Sequence, residues 1–318
     1  MRQIDLQPFF SLGVAASFFF GLAFGSFLNV CIYRLPKGLS VVHPRSACPQ
    51  CSAPIKAYDN IPVLSWLVLR GRCRNCGEPI SPRYLLVELL TAFLFVFCFL
   101  RWEFSLETVK YCALSFLLLG LIFTDLDCKL LPDRLTLPGL GLGLLFSIFV
   151  PVERLASAWI PFTLWQHVRF DVAWRVQSLL DSAAGASLGA GLIWGAGFIY
   201  FKLRHVEGMG LGDVKMMAMV GAFVGMEMTL FTIGAAALAA TVFGLSTMLW
   251  VWIKRGRRRM ARGRQPLGAA LRRAWTSANL IYRSYEIPFG SFLGATALVA
   301  FFYGNALIRW YMHLWLRW

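Results

Sequence analysis

Two acidic motifs sit at the edges of apolar runs, Asp125-Leu-Asp-Cys-Lys-Leu-Leu-Pro-Asp133 and Gly208-Met-Gly-Leu-Gly-Asp213-Val-Lys215. Ionisable groups at membrane depth are costly, so they mark a functional site by default. Two carboxylates that come close share a proton. One can then activate water as general base while the other donates to a scissile carbonyl or a leaving amine. The chemistry on offer is aspartic hydrolysis. His43, His167, His205 and His313 share no recognisable spacing, and neither a serine triad nor a Cys–His pair competes.

A second constellation is Cys48-Pro-Gln-Cys51 and Cys73-Arg-Asn-Cys76, with 21 residues between the pairs. Two such knuckles can supply four thiolates to one tetrahedral zinc. Four cysteine ligands leave no open position for water, so the metal would be structural. A redox pair is the competing reading, but the surrounding Pro, Gly and Arg residues suit metal-held loops better than a thioredoxin-like strand and helix. Cys31, Cys98, Cys112 and Cys128 lie in or beside apolar runs and read as small packing residues.

Composition decides what must position these groups. The 318 residues are 58% hydrophobic and 15% charged, with mean hydropathy +0.62. A soluble domain carries roughly 25% charge, so the expected fold is an all-α polytopic membrane protein. Eight crossings are expected, centred on 9–32, 85–100, 109–124, 135–150, 183–201, 216–225, 229–252 and 289–308, the sixth being short. The organisation expected is a first transmembrane helix over 1–33, a small cytoplasmic zinc-ribbon-like loop module over 34–84, and a membrane-embedded peptidase core over 85–318. That core would carry an interfacial basic loop at 254–287, where Leu271, Trp275, Ala278, Ile281, Tyr282 and Tyr285 recur at helical spacing. No internal repeat is evident.

Basic residues in short loops stay on the cytoplasmic side. The stretch 33–84 holds eight of them against Asp59 and Glu78, and 254–287 holds ten. The loops on the other side balance, with one base and two acids over 101–107 and three of each over 151–181. The net charge of +15 therefore reads as orientation plus attraction to anionic lipid headgroups. No aromatic-interleaved basic platform argues for nucleic acid. The first apolar run lacks a basic start and a clear cleavage site, and reads as a retained helix.

On this topology the third span ends at Asp125 and the sixth begins just after Asp213, so both carboxylates emerge at the cytoplasmic boundary and can meet. Gly210 and Gly212 permit turns and close approach, which would let a substrate backbone reach the acid. The plainer alternatives are a helix N-cap for Asp213 and a polar inter-helix turn for Asp125, Asp127 and Asp133.

These motifs resemble the type IV prepilin peptidases, which also process type II secretion pseudopilins. The resemblance runs over nearly the whole chain, through Gly25-Ser-Phe-Leu-Asn-Val30, Arg34-Leu-Pro36, the paired cysteines, Asp59-Asn-Ile-Pro62 and Ile287-Pro-Phe-Gly290. It implies that Asp125 and Asp213 are the catalytic pair, with Asp127 and Asp133 supporting or orienting them and Lys215 near enough to tune their charge. It implies cleavage of short basic leaders after a glycine, at the cytoplasmic face of the bacterial inner membrane. It also implies N-methylation of the new terminus with S-adenosylmethionine. No residue can be named for the methyl donor, because no Gly-rich dinucleotide-type loop is present; the stretch 25–34 and the zinc module are candidate regions. Two other classes compete: a non-catalytic zinc-bearing scaffold for pilus or secretion assembly, and a proton-coupled transporter, which would show inverted repeats and midplane acids.

Overall fold

A computed structural model describes residues 7–152, 174–206, 209–261, 275 and 288–315. The expected interfacial helix of the 254–287 loop lies outside these residues apart from 254–261 and Trp275. The described chain is helical: α1 Gln7–Arg34, a short α2 Leu64–Val68, α3 Arg83–Trp102, α4 Leu106–Cys128, α5 Asp133–Phe149, α6 Trp174–Arg204, α7 Leu211–Ala261 and α8 Phe289–Trp315. Its only β features among the described residues are two isolated bridges inside the cysteine loop.

Among the described residues six helices, α1, α3, α4, α6, α7 and α8, are long and apolar enough to cross a membrane. The expected eight segments emerge once two details are added. α5 is a 17-residue apolar helix with Pro138 inside it, at the short limit of about 17 residues for a crossing. α7 is not one rod, because Gly225 sits at φ 78 and ψ −178 and breaks it. Only a residue without a Cβ takes this conformation freely. The half before the break, residues 211–224, rises about 21 Å, short of the ~30 Å hydrocarbon. The sixth expected segment therefore does not span as a straight helix.

Lipid tails are as apolar as leucine, so close packing and interhelical hydrogen bonds hold such a bundle together. α6 and α7 show both. A Cβ on Gly185 would stand 2.4 Å from the Gly221 carbonyl oxygen, and one on Gly221 would stand 2.1 Å from that of Gly185. The two backbones touch there, and Ser182 donates across the contact to the Ala222 carbonyl at 2.6 Å. α5 and α8 pack on α7, and α4 packs on α8. The resulting core is filled by Leu114, Leu118, Leu121, Met216, Val220 and Leu293, all fully buried. A second cluster, with Leu28, Ile32, Val87, Leu119 and Phe123, joins α1 and α3 to α4. Large apolar side chains such as Phe19, Leu192 and Leu238 face outward, as lipid contact requires.

Candidate active site

α4 ends just after its acids. Lys129 takes the left-handed conformation at φ 53 and returns its N–H to the Asp125 carbonyl at 2.9 Å, which places Asp125 in the last turn. Asp213 lies in the first turn of α7, with its N–H donating to the Gly210 carbonyl at 3.2 Å. Both acids are thus held by helix ends at the same end of the bundle.

The element that joins them is the start of α8. A Cβ on Gly290 would lie 3.1 Å from Asp125 Cγ and Oδ2 and 3.1 Å from Asp213 Oδ1. The two carboxylates therefore converge on one backbone point, and their facing oxygens are separated by no more than twice that distance. Next to it, Ser291 donates its backbone N–H to Asp125 Oδ2 at 2.5 Å and its hydroxyl to the same oxygen at 2.7 Å. A helix N-terminus presents free N–H groups and the positive end of the dipole, which suits a carboxylate. Asp125 is buried at 5% exposure, and Asp213 is half-buried.

Nothing in the sequence around the acids points to Ser291, which lies 166 residues from Asp125, and Gly290 enters only through the resemblance, in Ile287-Pro-Phe-Gly290. The available signal was Pro288 ahead of an apolar run with Gly and Ser in its first turn, a helix-start pattern. Ser291→Ala should leave the backbone donation and remove the hydroxyl, lowering the cleavage rate about tenfold, the equivalent of one hydrogen bond to a charged group. Steady-state rates on a peptide substrate would read this, and an unchanged rate would deny Ser291 a part in holding Asp125.

The remaining expected residues take other positions around this point. Asp127 pairs with Arg83 at the start of α3. Asp133 binds Lys215 at 2.7 Å, which clips the start of α5 to the first turns of α7. A Cβ on Gly210 would meet nothing nearer than the Gly212 backbone N at 3.8 Å, whereas one on Gly212 would lie 2.9 Å from Leu131 Cβ. Gly212 thus serves packing against the α4–α5 turn, and the glycine set against the carboxylates is Gly290.

The four cysteines come together. All four Sγ atoms lie within 4.8 Å of one another, and those of Cys48 and Cys76 are 3.8 Å apart. Tetrahedral zinc with Zn–S bonds of about 2.3 Å sets sulfurs at about 3.8 Å, so the group could hold zinc. The two knuckles repeat each other bond for bond: Cys48 N–H to Ala53 O and Cys73 N–H to Glu78 O at 2.9 Å, then Ile55 N–H to Ser46 O at 2.8 Å and Ile80 N–H to Gly71 O at 2.7 Å. Ser52 and Gly77 take positive φ, 57 and 74, at matching positions. The fold thus carries a local internal repeat, against the expectation of none, and the sequence shows it as Cys-x-x-Cys-x-x-Pro-Ile at 48–55 and again at 73–80. The Asn75 amide donates to Cys51 Sγ at 3.5 Å and, with the Ala53 backbone, pushes that thiol down to about 6. A low thiol pKa favours the thiolate that binds metal. Arg74 chelates Asp59 at 2.7–3.0 Å, tying the 57–60 turn to the second knuckle and holding the Asp59 carboxyl below the usual carboxylate range.

Fold and site together define a multi-pass membrane protein whose helix ends bring two carboxylates to one point, beside a four-cysteine module. Two family models match in succession: the bacterial peptidase A24 N-terminal domain over residues 19–102 and the type IV leader peptidase family over 112–245. The chain is similar to the prepilin leader peptidase/N-methyltransferases of Aeromonas salmonicida, at 33% identity over 93% of this chain and 92% of the relative, and of Legionella pneumophila, at 31% over 93% of each. That of Myxococcus xanthus is 38% identical over 73% of this chain and 62% of the relative. No solved structure matches. The chain belongs to the type IV leader peptidase family. It is an enzyme, a peptidase with a second, methyltransferase function.

Proposed function

We propose that this protein removes short basic leaders from type IV prepilins or type II pseudopilins at the cytoplasmic face of the bacterial inner membrane, and then methylates the new N-terminus. The observation that carries the peptidase reading is the convergence of Asp125 and Asp213 on Gly290. Water held between the carboxylates attacks the scissile carbonyl. One carboxylate takes its proton as the C–O bond forms, and the partner carboxyl protonates the leaving amine as the C–N bond breaks. Ser291 fixes Oδ2 of Asp125, leaving Oδ1 for the water. The apolar segment of the substrate stays in lipid while its leader lies at the surface.

Asp127 and Asp133 are largely neutralised by Arg83 and Lys215, so their part is to fix helix ends rather than to attract the basic leader. An exposed pair of this kind contributes about 0–1 kcal/mol. Asp133→Asn should therefore lower cleavage less than about fivefold, and a loss as deep as that of Asp213→Asn would promote Asp133 into the reacting pair.

The cysteines Cys48, Cys51, Cys73 and Cys76 would hold one structural zinc, which fixes the inner loop. S-adenosylmethionine, when bound, supplies an electrophilic methyl group to the deprotonated terminal amine. A scaffold would have no use for two facing acids, and a transporter would carry them at the midplane rather than at helix ends. Co-expression with a prepilin tests the whole reading: the substrate should shorten by its leader only when this chain is present, and an unshortened substrate would refute it.

A further inference from the structure

A half-open cleft of about 530 Å³ lies between α1 and the first cysteine knuckle. Its helix wall is Ala23, Ser26, Phe27, Val30 and Arg34, which share one face at three- and four-residue spacing. Across it stand the 41–46 loop, then Ile55, Ala57, Asn60 and Pro62. We propose that this cleft is the methyl-donor site and takes a nucleoside sulfonium, S-adenosylmethionine. The proposal rests on the methyltransferase half of the reading above.

The volume lies within the roughly 300–1,000 Å³ of small-molecule sites. Its chemistry is divided as such a ligand is. Phe27, Val30, Val41 and Ile55 offer apolar surface for a flat base, while Ser26, Ser46 and Asn60 offer hydroxyl and amide groups for a ribose or a ring edge. Arg45 offers a guanidinium to the amino-acid carboxylate. Behind Ser26 and Pro62 lies the buried Glu88, which bonds Ser26 and accepts the Val63 N–H at 2.8 Å. Those bonds hold Ser26 and the 62–63 backbone in place at that end of the cleft.

The wall is built rather than incidental. Arg34 runs its guanidinium into the loop and donates to the carbonyls of Ser40 at 2.9 Å and Pro44 at 2.8 Å, pinning the 40–45 segment over the cleft. Ser46 and Ile55 both line the cleft and are joined by the hydrogen bond that closes the Cys48–Cys51 knuckle. Metal at the cysteines would therefore hold the cleft in shape. Leu28 and Ile32 of α1 pack with Leu119 and Phe123 of α4, so cleft and acids share one end of the bundle and a freshly cut N-terminus need not cross the membrane to reach the donor.

The test is equilibrium binding of S-adenosylmethionine and of S-adenosylhomocysteine to the purified full-length protein in detergent, by titration calorimetry, with peptide cleavage as the control for folding. Ser46→Trp, which fills the cleft, and Arg45→Glu, which reverses charge at its rim, should each weaken binding at least tenfold and retain cleavage. Should Ser46→Trp fail to cleave, Arg45→Glu alone decides. Undiminished affinity in a variant that still cleaves would overturn this placement. A wild-type protein that cleaves yet binds neither compound would overturn the methyl-transfer reading itself, a separate failure.

Discussion

Asp125→Asn and Asp213→Asn should each reduce leader cleavage by at least about a thousandfold, within the range associated with general acid–base groups. Each substitution keeps the volume of the side chain and removes its proton chemistry, so the protein should still reach the membrane in normal amount. Asp125→Asn leaves an acceptor oxygen for Ser291, and the two donations to that position need not be lost. Because the two carboxylates meet at Gly290, they should act as a unit. The double variant should then be no slower than either single one, since effects within a catalytic unit do not add. Rates measured on one peptide for the four proteins check this. Losses that multiply would mean two independent contributions rather than one shared site.

Cys48→Ser or Cys76→Ser should release the metal and abolish methylation while reducing cleavage only modestly. Structural zinc contributes on the order of 10 kcal/mol to small zinc-held folds, and the described residues of the cysteine loop offer little else: its helix α2 has no buried residue. The acids sit on α4 and α7 and are joined by α8, and the core that packs these three helices takes only Leu35 from the 34–84 stretch. Elemental analysis of protein purified without chelators should find one zinc per chain in the wild type and a deficit in each variant. Wild-type protein devoid of zinc, or equal loss of both activities, would separate the cysteines from the role given to them.

Much of this architecture is legible in the chain because membranes impose simple rules. Apolar length marked the helices, basic loops suggested the side, and Cys spacing marked the knuckles. Even the division of α7 was foreshadowed by a short sixth segment ending at Gly225. What could not be read were the long-range meetings. Nothing local says that the α8 start caps Asp125, that Lys215 turns to Asp133, or that Gly212 packs on Leu131. Those partners are set by how helix ends converge in three dimensions, which no local pattern encodes. Glu88 shows the same limit, since a carboxyl group within an apolar helix reads as an outlier until the Val63 N–H from the cysteine loop is found beside it.

Mass spectrometry of an intact prepilin, incubated with purified wild-type or Asp213→Asn protein with and without S-adenosylmethionine, tests the peptidase reading most directly. Wild-type protein should yield one cut between a glycine and the apolar segment, with the product one methyl group heavier only when the donor is present. Asp213→Asn should return the substrate uncut. A substrate left intact by the wild type, or cut equally by the variant, would contradict the two-aspartate peptidase.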